Sequence, residues 1–320
     1  MTSETLAPDD VPGTETIDPR LGDLDLRATV DVLAELLASQ RRAVEAVEAA
    51  RAALAGAVEA ATERLADGDG RLVLVGAGAS GRLAVQDGAE LWPTFGWPRE
   101  RLLLAMAGGE RALIESVEGA EDDVGAARGE AREAGIGPAD VVVAVAASGR
   151  SPWTCAWLVA AGEAGALTVG LSGNPDTPLL AAARHPVLLA SGAEVLAGST
   201  RMAAGTAQKI ALNLFSTALM VRLNRTHGNL MVDMAAVNAK LDGRRLRLLQ
   251  GVLPELGDAA ARAALDTAGG WIKLAALVAS GDTAEGGRQR LEAHRGSLRR
   301  ALAELEPDPG SNTEGRPSPE

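Results

Sequence analysis

RLVLVGAGASGRLAVQDGAELWPTFG, Arg71 to Gly96, is the stretch whose reading decides the fold. Leu72 to Val75 is a short continuous apolar run, as in a strand buried on both faces. Three glycines follow, Gly76, Gly78 and Gly81, and permit tight backbone geometry. The pattern then becomes helical. A strand that turns into a helix through glycines aims the helix N-terminus, with its free N–H groups and partial positive charge, at an anion. Ser80 adds a hydroxyl and Arg82 a charge. Asp87 and Glu90 stand at i, i+3, which puts both on one helix face. The helix is expected to bring Glu90 near whatever the turn holds.

Outward from this stretch the alternation of strand, turn and helix repeats. Apolar runs at Leu72–Val75, Leu102–Ala107, Val141–Ala146, Leu167–Leu171 and Val187–Leu189 predict five strands separated by helical segments. That is the pattern of a parallel sheet covered on both faces, a doubly wound α/β domain with ligands at the carboxyl ends of its strands. Upstream, apolar positions at helical spacing over 25–66 predict one long helix or two joined ones, stopped at Asp67-Gly-Asp-Gly. Residues 204–223 predict a buried helix. After Gly243, segments 244–253, 258–268, 270–280, 284–293 and 295–304 predict short amphipathic helices. The expected organisation is a mobile arm over 1–24, the α/β domain with its N-terminal helices over 25–243, a small helical domain over 244–305 and a disordered tail over 306–320.

Composition narrows the function. Hydrophobic residues make up 47% of the chain but aromatics only 2%, so the core must be largely Ala, Val and Leu. A net charge of −12 argues against a nucleic-acid partner, because neutralising phosphates needs a basic face. It leaves room for one small phosphate in a local pocket. Cys155 is the only cysteine, so an internal disulfide and a cysteine zinc site are excluded. His185, His227 and His294 are scattered without ligand spacing, and no metal is expected. The first residues are polar and acidic, unlike a signal peptide. The apolar run Ile210 to Val221 is too short to span a bilayer. No membrane partner is expected, and the cytoplasm is the expected location.

The first turn also matches the GxGxxG dinucleotide fingerprint, with Glu110 available as its ribose acid. A second turn after a strand weighs against that reading. Ala146-Ala-Ser-Gly-Arg-Ser-Pro152 offers Ser148, Gly149 and Ser151 around one phosphate, with Pro152 suited to the first turn of a helix. A third group, Gly192-Ala-Glu194 and Gly198-Ser-Thr-Arg201, either caps the next helix or lines a polar pocket for sugar hydroxyls. Glu194, Ser199 and Thr200 are its candidates. The acid-rich segment Val117-Glu-Gly-Ala-Glu-Asp-Asp123 is either a solvated surface or a source of acid–base groups beside a bound sugar.

Taken together, GAGASGRLAVQDGAELWPTFG, AGGE, VEGAEDD, AASGRSPW, GAEVLAGSTRMAAGTAQK and GNLMVDM resemble, in order, the N-acetylmuramic acid 6-phosphate etherase family of the SIS (sugar isomerase) superfamily. The resemblance runs from about Leu72 to Leu241 and more weakly to about Leu302. It implies a SIS-type fold and a homodimer with sites near the subunit interface. The implied reaction cleaves the lactyl ether of the sugar phosphate without a cofactor, in amino-sugar recycling. It also implies catalytic roles for Glu90 and Glu121. The phosphate site would comprise Ser148 to Ser151 with Gly78, Ser80 and Gly81. The chain departs from the family at Ala79, where Thr is usual, at Ala89 and Leu91-Trp92 beside Glu90, and at Ala203, where Lys is usual. A non-catalytic regulator resembling the glucokinase regulatory protein and a SIS sugar-phosphate isomerase are the other readings.

Overall fold

The computed structural model describes residues 13–234 and 239–305, with backbone alone for 239–242. The expected tail, Glu306 to Glu320, and the first part of the expected arm lie outside the described residues. The described chain divides into two compact units. The first runs to Leu91 and again from Trp97 to Leu219; the second takes Trp92–Gly96 and the chain from Met220 on. The division falls inside a helix, earlier than the boundary expected after Gly243.

In the first unit, α1 (Thr29–Ala49) and α2 (Arg51–Leu65) meet at Ala50. The sheet is built from β1 (Leu72–Gly76), β2 (Leu102–Met106), β3 (Val141–Ala146), β4 (Leu167–Ser172) and β5 (His185–Leu188). All pairings are parallel and the order is β2-β1-β3-β4-β5. The three inner strands are buried along their whole length, which is why β1 and β3 read as aliphatic runs and β4 carries only small or apolar residues, Thr168, Gly170 and Ser172 among them. The fifth strand begins two residues before the expected Val187. Its Pro186, which has no N–H to donate, is tolerated because the strand is an edge.

Helices cover both faces. Helix α3 (Gly78–Ala89) lies against Leu74 and Leu104; a Cβ on Gly88 would stand 2.4 Å from Leu104 Cδ2. The opposite face carries Val73, Val75, Val142 and Ala144, and α6 (Pro152–Glu163) closes over it with Trp153 and Trp157, both fully buried. Helix α5 (Val124–Glu133) contributes Ala127 and Ala131 to the same cluster, and α7 (Pro178–Ala182) contributes Leu179. Trp97, Trp153, Trp157 and Phe215 therefore serve as large core anchors among Ala, Val and Leu. Helix α8 (Ala203–Arg222) is one residue displaced from its expected span. A short helix, α4 (Leu91–Phe95), follows α3.

The chain passes from β1 to β2 on one side and then crosses back to β3 on the other side of β1. The carboxyl ends of β1 and β3 thus form the switch point where doubly wound sheets hold ligands. At the opposite end, Arg71 and Asp140 tie the starts of these strands: Arg71 N–H donates to Asp140 Oδ1 at 2.9 Å and Arg71 Nη2 to Asp140 Oδ2 at 2.8 Å.

Residues 13–24, expected to be mobile, are folded in 3-10 turns at Gly13–Glu15 and Pro19–Leu21, with a third beginning at Leu24. Thr14 is fully buried, and its N–H and hydroxyl both meet the Asn174 amide. A long-range amide contact of this kind leaves no local trace in sequence.

In the second unit, α9 (Ala239–Val252), α10 (Asp258–Thr267), α11 (Ile272–Ala279), α12 (Ala284–Ala293) and α13 (Leu298–Ala303) follow the expected helical segments. They bury Leu249, Leu265, Leu274, Leu277 and Leu291 with Val232. Lys273, only 2% exposed, donates to Asp233 Oδ2 and to Asn224 O. Trp271 Nε1 donates to Asp233 Oδ1 at 2.9 Å. Burial pushes the Lys273 ammonium below its ordinary range, while the Asp233 carboxylate opposes that shift.

Candidate active site

The turn between β1 and α3 is shaped by backbone crowding. A Cβ on Gly81 would lie 2.6 Å from Gly76 O, so these two glycines let the helix rest on the strand. Gly78 has φ +53° with open space where a side chain would be. The first N–H groups of α3 lack partners within the helix, which leaves an anion-sized set of donors at this end. Ser80 contributes less than its type suggests. It is buried, and its hydroxyl donates to Gln208 Oε1 on α8 at 2.9 Å. Its remaining contribution to an anion is a backbone N–H.

The second turn stands at the end of β3. Gly149 has φ +68°, and a Cβ there would stand 2.3 Å from Ser172 Oγ and 2.5 Å from Thr177 Oγ1. Ser148 Oγ accepts the Arg150 N–H at 3.1 Å, and Ser151 Oγ accepts the Thr154 hydroxyl at 3.2 Å. Both serines are half-buried. Behind them the loop after β4 acts as a brace. Asn174 donates to Ala147 O at 3.0 Å, Gly173 N–H donates to the same carbonyl, and Leu179 N–H donates to Gly149 O. Ser172, Asn174 and Thr177 escaped the sequence reading. The Asn174-Pro175 turn was their one local signal.

The structure brings the turns after β1 and β3 to the switch point, since their strands are neighbours. It also ties the acidic loop to α3. Arg82 does not face the turn as a free charge: its Nε donates to Ala112 O and its Nη2 to Glu115 O, each at 2.9 Å. That holds the segment after β2, which leads into the 3-10 turn Ala120–Asp122 carrying Glu121. Glu121 is exposed, while Asp123 caps α5 through the Ala126 N–H at 2.8 Å.

Glu90 is not where the sequence reading put it. It is the exposed C-cap of α3, twelve residues beyond Gly78 at the start of the helix. At 1.5 Å per residue that is ~18 Å along the helix axis. Asp87 does not share its surroundings either. Its carboxylate is buried against α8, where Oδ1 meets Asn213 Nδ2 and lies 3.5 Å from Lys209 Nζ.

The third group is divided. Glu194 is 1% exposed and its two oxygens accept the N–H groups of Ala203 and Ala204 at 3.0 and 2.9 Å. It caps α8, and the expected contact with sugar hydroxyls is replaced by this helix-terminus role. Ser199 and Thr200 are half-buried in the loop that leads into α8. Arg42 of α1 supports this loop by donating to Ser191 O and Ala193 O. Cys155, beneath the second turn, has its thiol pushed up to about 11 by burial, so it is no nucleophile at neutral pH. Among the described residues, no helix is long and apolar enough to cross a membrane.

Known proteins supply the identity of this arrangement. Residues 53–181 match the model of the glucokinase regulatory protein N-terminal SIS domain. A phosphoheptose isomerase from Francisella tularensis aligns over 62% of this chain and 100% of its own, at TM-score 0.44 and 19% identity. N-acetylmuramic acid 6-phosphate etherase of Deinococcus radiodurans is 51% identical over 92% of this chain and 96% of its own. The protein of the same name from Rubrobacter xylanophilus is 44% identical over 91% of this chain and 96% of its own. With near full-length matches at these identities, the chain belongs to the N-acetylmuramic acid 6-phosphate etherase family.

Proposed function

We propose that this protein cleaves the D-lactyl ether of N-acetylmuramic acid 6-phosphate, giving N-acetylglucosamine 6-phosphate and D-lactate. The observation that carries this reading is the 51% identity to the Deinococcus radiodurans etherase over 92% of the chain. The two turns at the switch point suit the phosphate, and the carboxylates suit the chemistry.

An unactivated ether resists hydrolysis, and elimination offers an easier route. Opening the sugar ring makes C1 an aldehyde and the C2 proton acidic. A base removes that proton, the C3–O bond breaks, and an acid protonates the departing lactate oxygen. Water then adds across the unsaturated aldehyde, its oxygen to C3 and a proton to C2. In this reading Glu121 is the base and Glu90 the acid, each contributing ~10²–10⁴-fold.

The ~18 Å between the glycine turn and Glu90 along α3 is longer than one hexose phosphate spans. We therefore place Glu90 of one copy beside the phosphate turns of another, in a homodimer with composite sites. A second reading, a non-catalytic sugar-phosphate regulator, has its own support in the regulatory-protein domain match over 53–181.

One incubation separates the readings. Purified protein with N-acetylmuramic acid 6-phosphate releases D-lactate and N-acetylglucosamine 6-phosphate in equal amounts if it is the etherase. Binding without lactate identifies a regulator, and ketose–aldose interconversion without lactate identifies an isomerase.

A further inference from the structure

The 3-10 turn Gly13–Glu15 is tied to the candidate site although it belongs to none of the site's own elements. Thr14 is fully buried between exposed neighbours. Its N–H donates to Asn174 Oδ1 at 3.1 Å, and its hydroxyl accepts from Asn174 Nδ2 at 3.0 Å. The same Nδ2 lies 3.0 Å from Ala147 O and 3.5 Å from Ser148 O, so one amide joins Thr14 to the phosphate turn after β3. Gly173 permits this approach: a Cβ there would stand 2.8 Å from Ala147 O and 3.5 Å from Thr14 Cγ2. The next residue, Glu15, meets the loop that leads into α8. A Cβ on Gly198, at φ +76°, would stand 3.1 Å from Glu15 Oε2, and Ser199 and Thr200 follow directly. Thr14 and Glu15 thus bridge the phosphate turn and the two hydroxyls. The Glu15 side chain is exposed, and among the described residues no donor meets its carboxylate.

We propose that Glu15 is a substrate-binding residue and that Thr14 is the positioning residue that holds it in place. The inference deepens the reading above and rests on it for the presence of a sugar phosphate. An ionised carboxylate only accepts hydrogen bonds. It repels a phosphate, so a carboxylate fixed beside a phosphate turn suits the rest of the ligand, where the hydroxyls and the acetamido N–H of an amino sugar are donors. Glu194, the sequence candidate for that contact, caps α8 instead. Glu15 supplies an acceptor beside the same Ser199–Thr200 loop. A few placed polar groups of this kind orient a ligand and set its specificity. Burial and two hydrogen bonds to Asn174 fix the Thr14 backbone that carries Glu15, so less ordering remains to be done on binding.

The test is titration calorimetry of the full chain with two probes, N-acetylglucosamine 6-phosphate and inorganic phosphate. Wild type is expected to bind both. Glu15→Ala is expected to bind the sugar phosphate about 10–100-fold more weakly and inorganic phosphate as tightly as wild type. If that variant fails to fold, Glu15→Gln reads the same contact through a loss of about fivefold. Thr14→Val keeps the shape and removes the hydroxyl that Asn174 meets. It is expected to weaken the sugar phosphate by itself and to add nothing once Glu15 is Ala, because Thr14 acts through Glu15. A folded Glu15→Ala that binds the sugar phosphate like wild type, or that loses both probes equally, would overturn the inference. Additive losses in the double variant would overturn the role of Thr14. Wild type that binds neither probe would overturn the sugar-phosphate reading beneath it, whereas wild type that binds both beside an unaffected Glu15→Ala overturns the inference alone.

Discussion

Glu194 and Ala204 are ten residues apart in sequence, and the carboxylate of the first accepts the N–H of the second at 2.9 Å. With Ala203 bonded to the other oxygen, one buried anion closes the N-terminus of the 20-residue helix α8. Replacing Glu194 with Ala leaves two N–H groups without their acceptor and removes a charge favoured by the helix dipole. The expected cost is about 2 kcal/mol in denaturant unfolding. A melting point unchanged from wild type, with a raised KM, would instead assign Glu194 to the substrate.

Gly149→Ala tests the second turn. The residue sits at φ +68°, and the added methyl would meet Ser172 Oγ and Thr177 Oγ1 well inside contact distance. Relief requires the brace behind the turn to open. The expected result is a loss of more than 1 kcal/mol together with weakened sugar-phosphate binding. Calorimetric melting and titration of the same preparation check both.

Asp140 provides a pH signature. Burial pushes its carboxyl up, but hydrogen bonds from the Arg71 guanidinium, the Arg71 N–H and the Gly137 N–H outweigh that effect and hold it below the ordinary 3.8. A depressed carboxyl contributes stability that is present above 3.8 and is lost as pH falls through the lower folded value. Asp140→Asn should therefore cost about 2–3 kcal/mol at neutral pH. The gap to wild type should narrow on acidification below 3.8. Urea unfolding of both proteins over an acid series reads this directly.

The second unit carries a buried ion pair whose partners are best tested together. Asp233→Ala strands the Lys273 ammonium, which is almost fully buried, and should cost about 3–5 kcal/mol. Adding Lys273→Met removes the stranded charge, so the double variant should be more stable than Asp233→Ala alone. Equal or additive losses in the unfolding curves would show that the pair is not coupled.

The sheet was legible because burial on both faces leaves aliphatic runs at Leu72 and Val141, and a largely aliphatic one broken by Thr168 and Gly170 at Leu167. The beginning of β5 was not, because His185 and Pro186 belong to an exposed edge. The glycine turns were legible from residue type alone, since Gly81 and Gly149 admit no side chain. What joins them was not. Thr14 and Asn174 lie 160 residues apart, and Ser80 and Gln208 lie 128 apart, with no local pattern to announce either bond. The distance of Glu90 was available by counting: adjacency along the sequence was read as adjacency in space, although three turns of helix intervene.

The most direct test of the account compares wild type with Glu90→Gln on N-acetylmuramic acid 6-phosphate, following D-lactate release and exchange of the C2 proton with solvent deuterium. The account predicts lactate release lowered by ~10²–10⁴-fold with C2 exchange retained, because the acid is lost and the base is not. Lactate release from Glu90→Gln near the wild-type rate would contradict it.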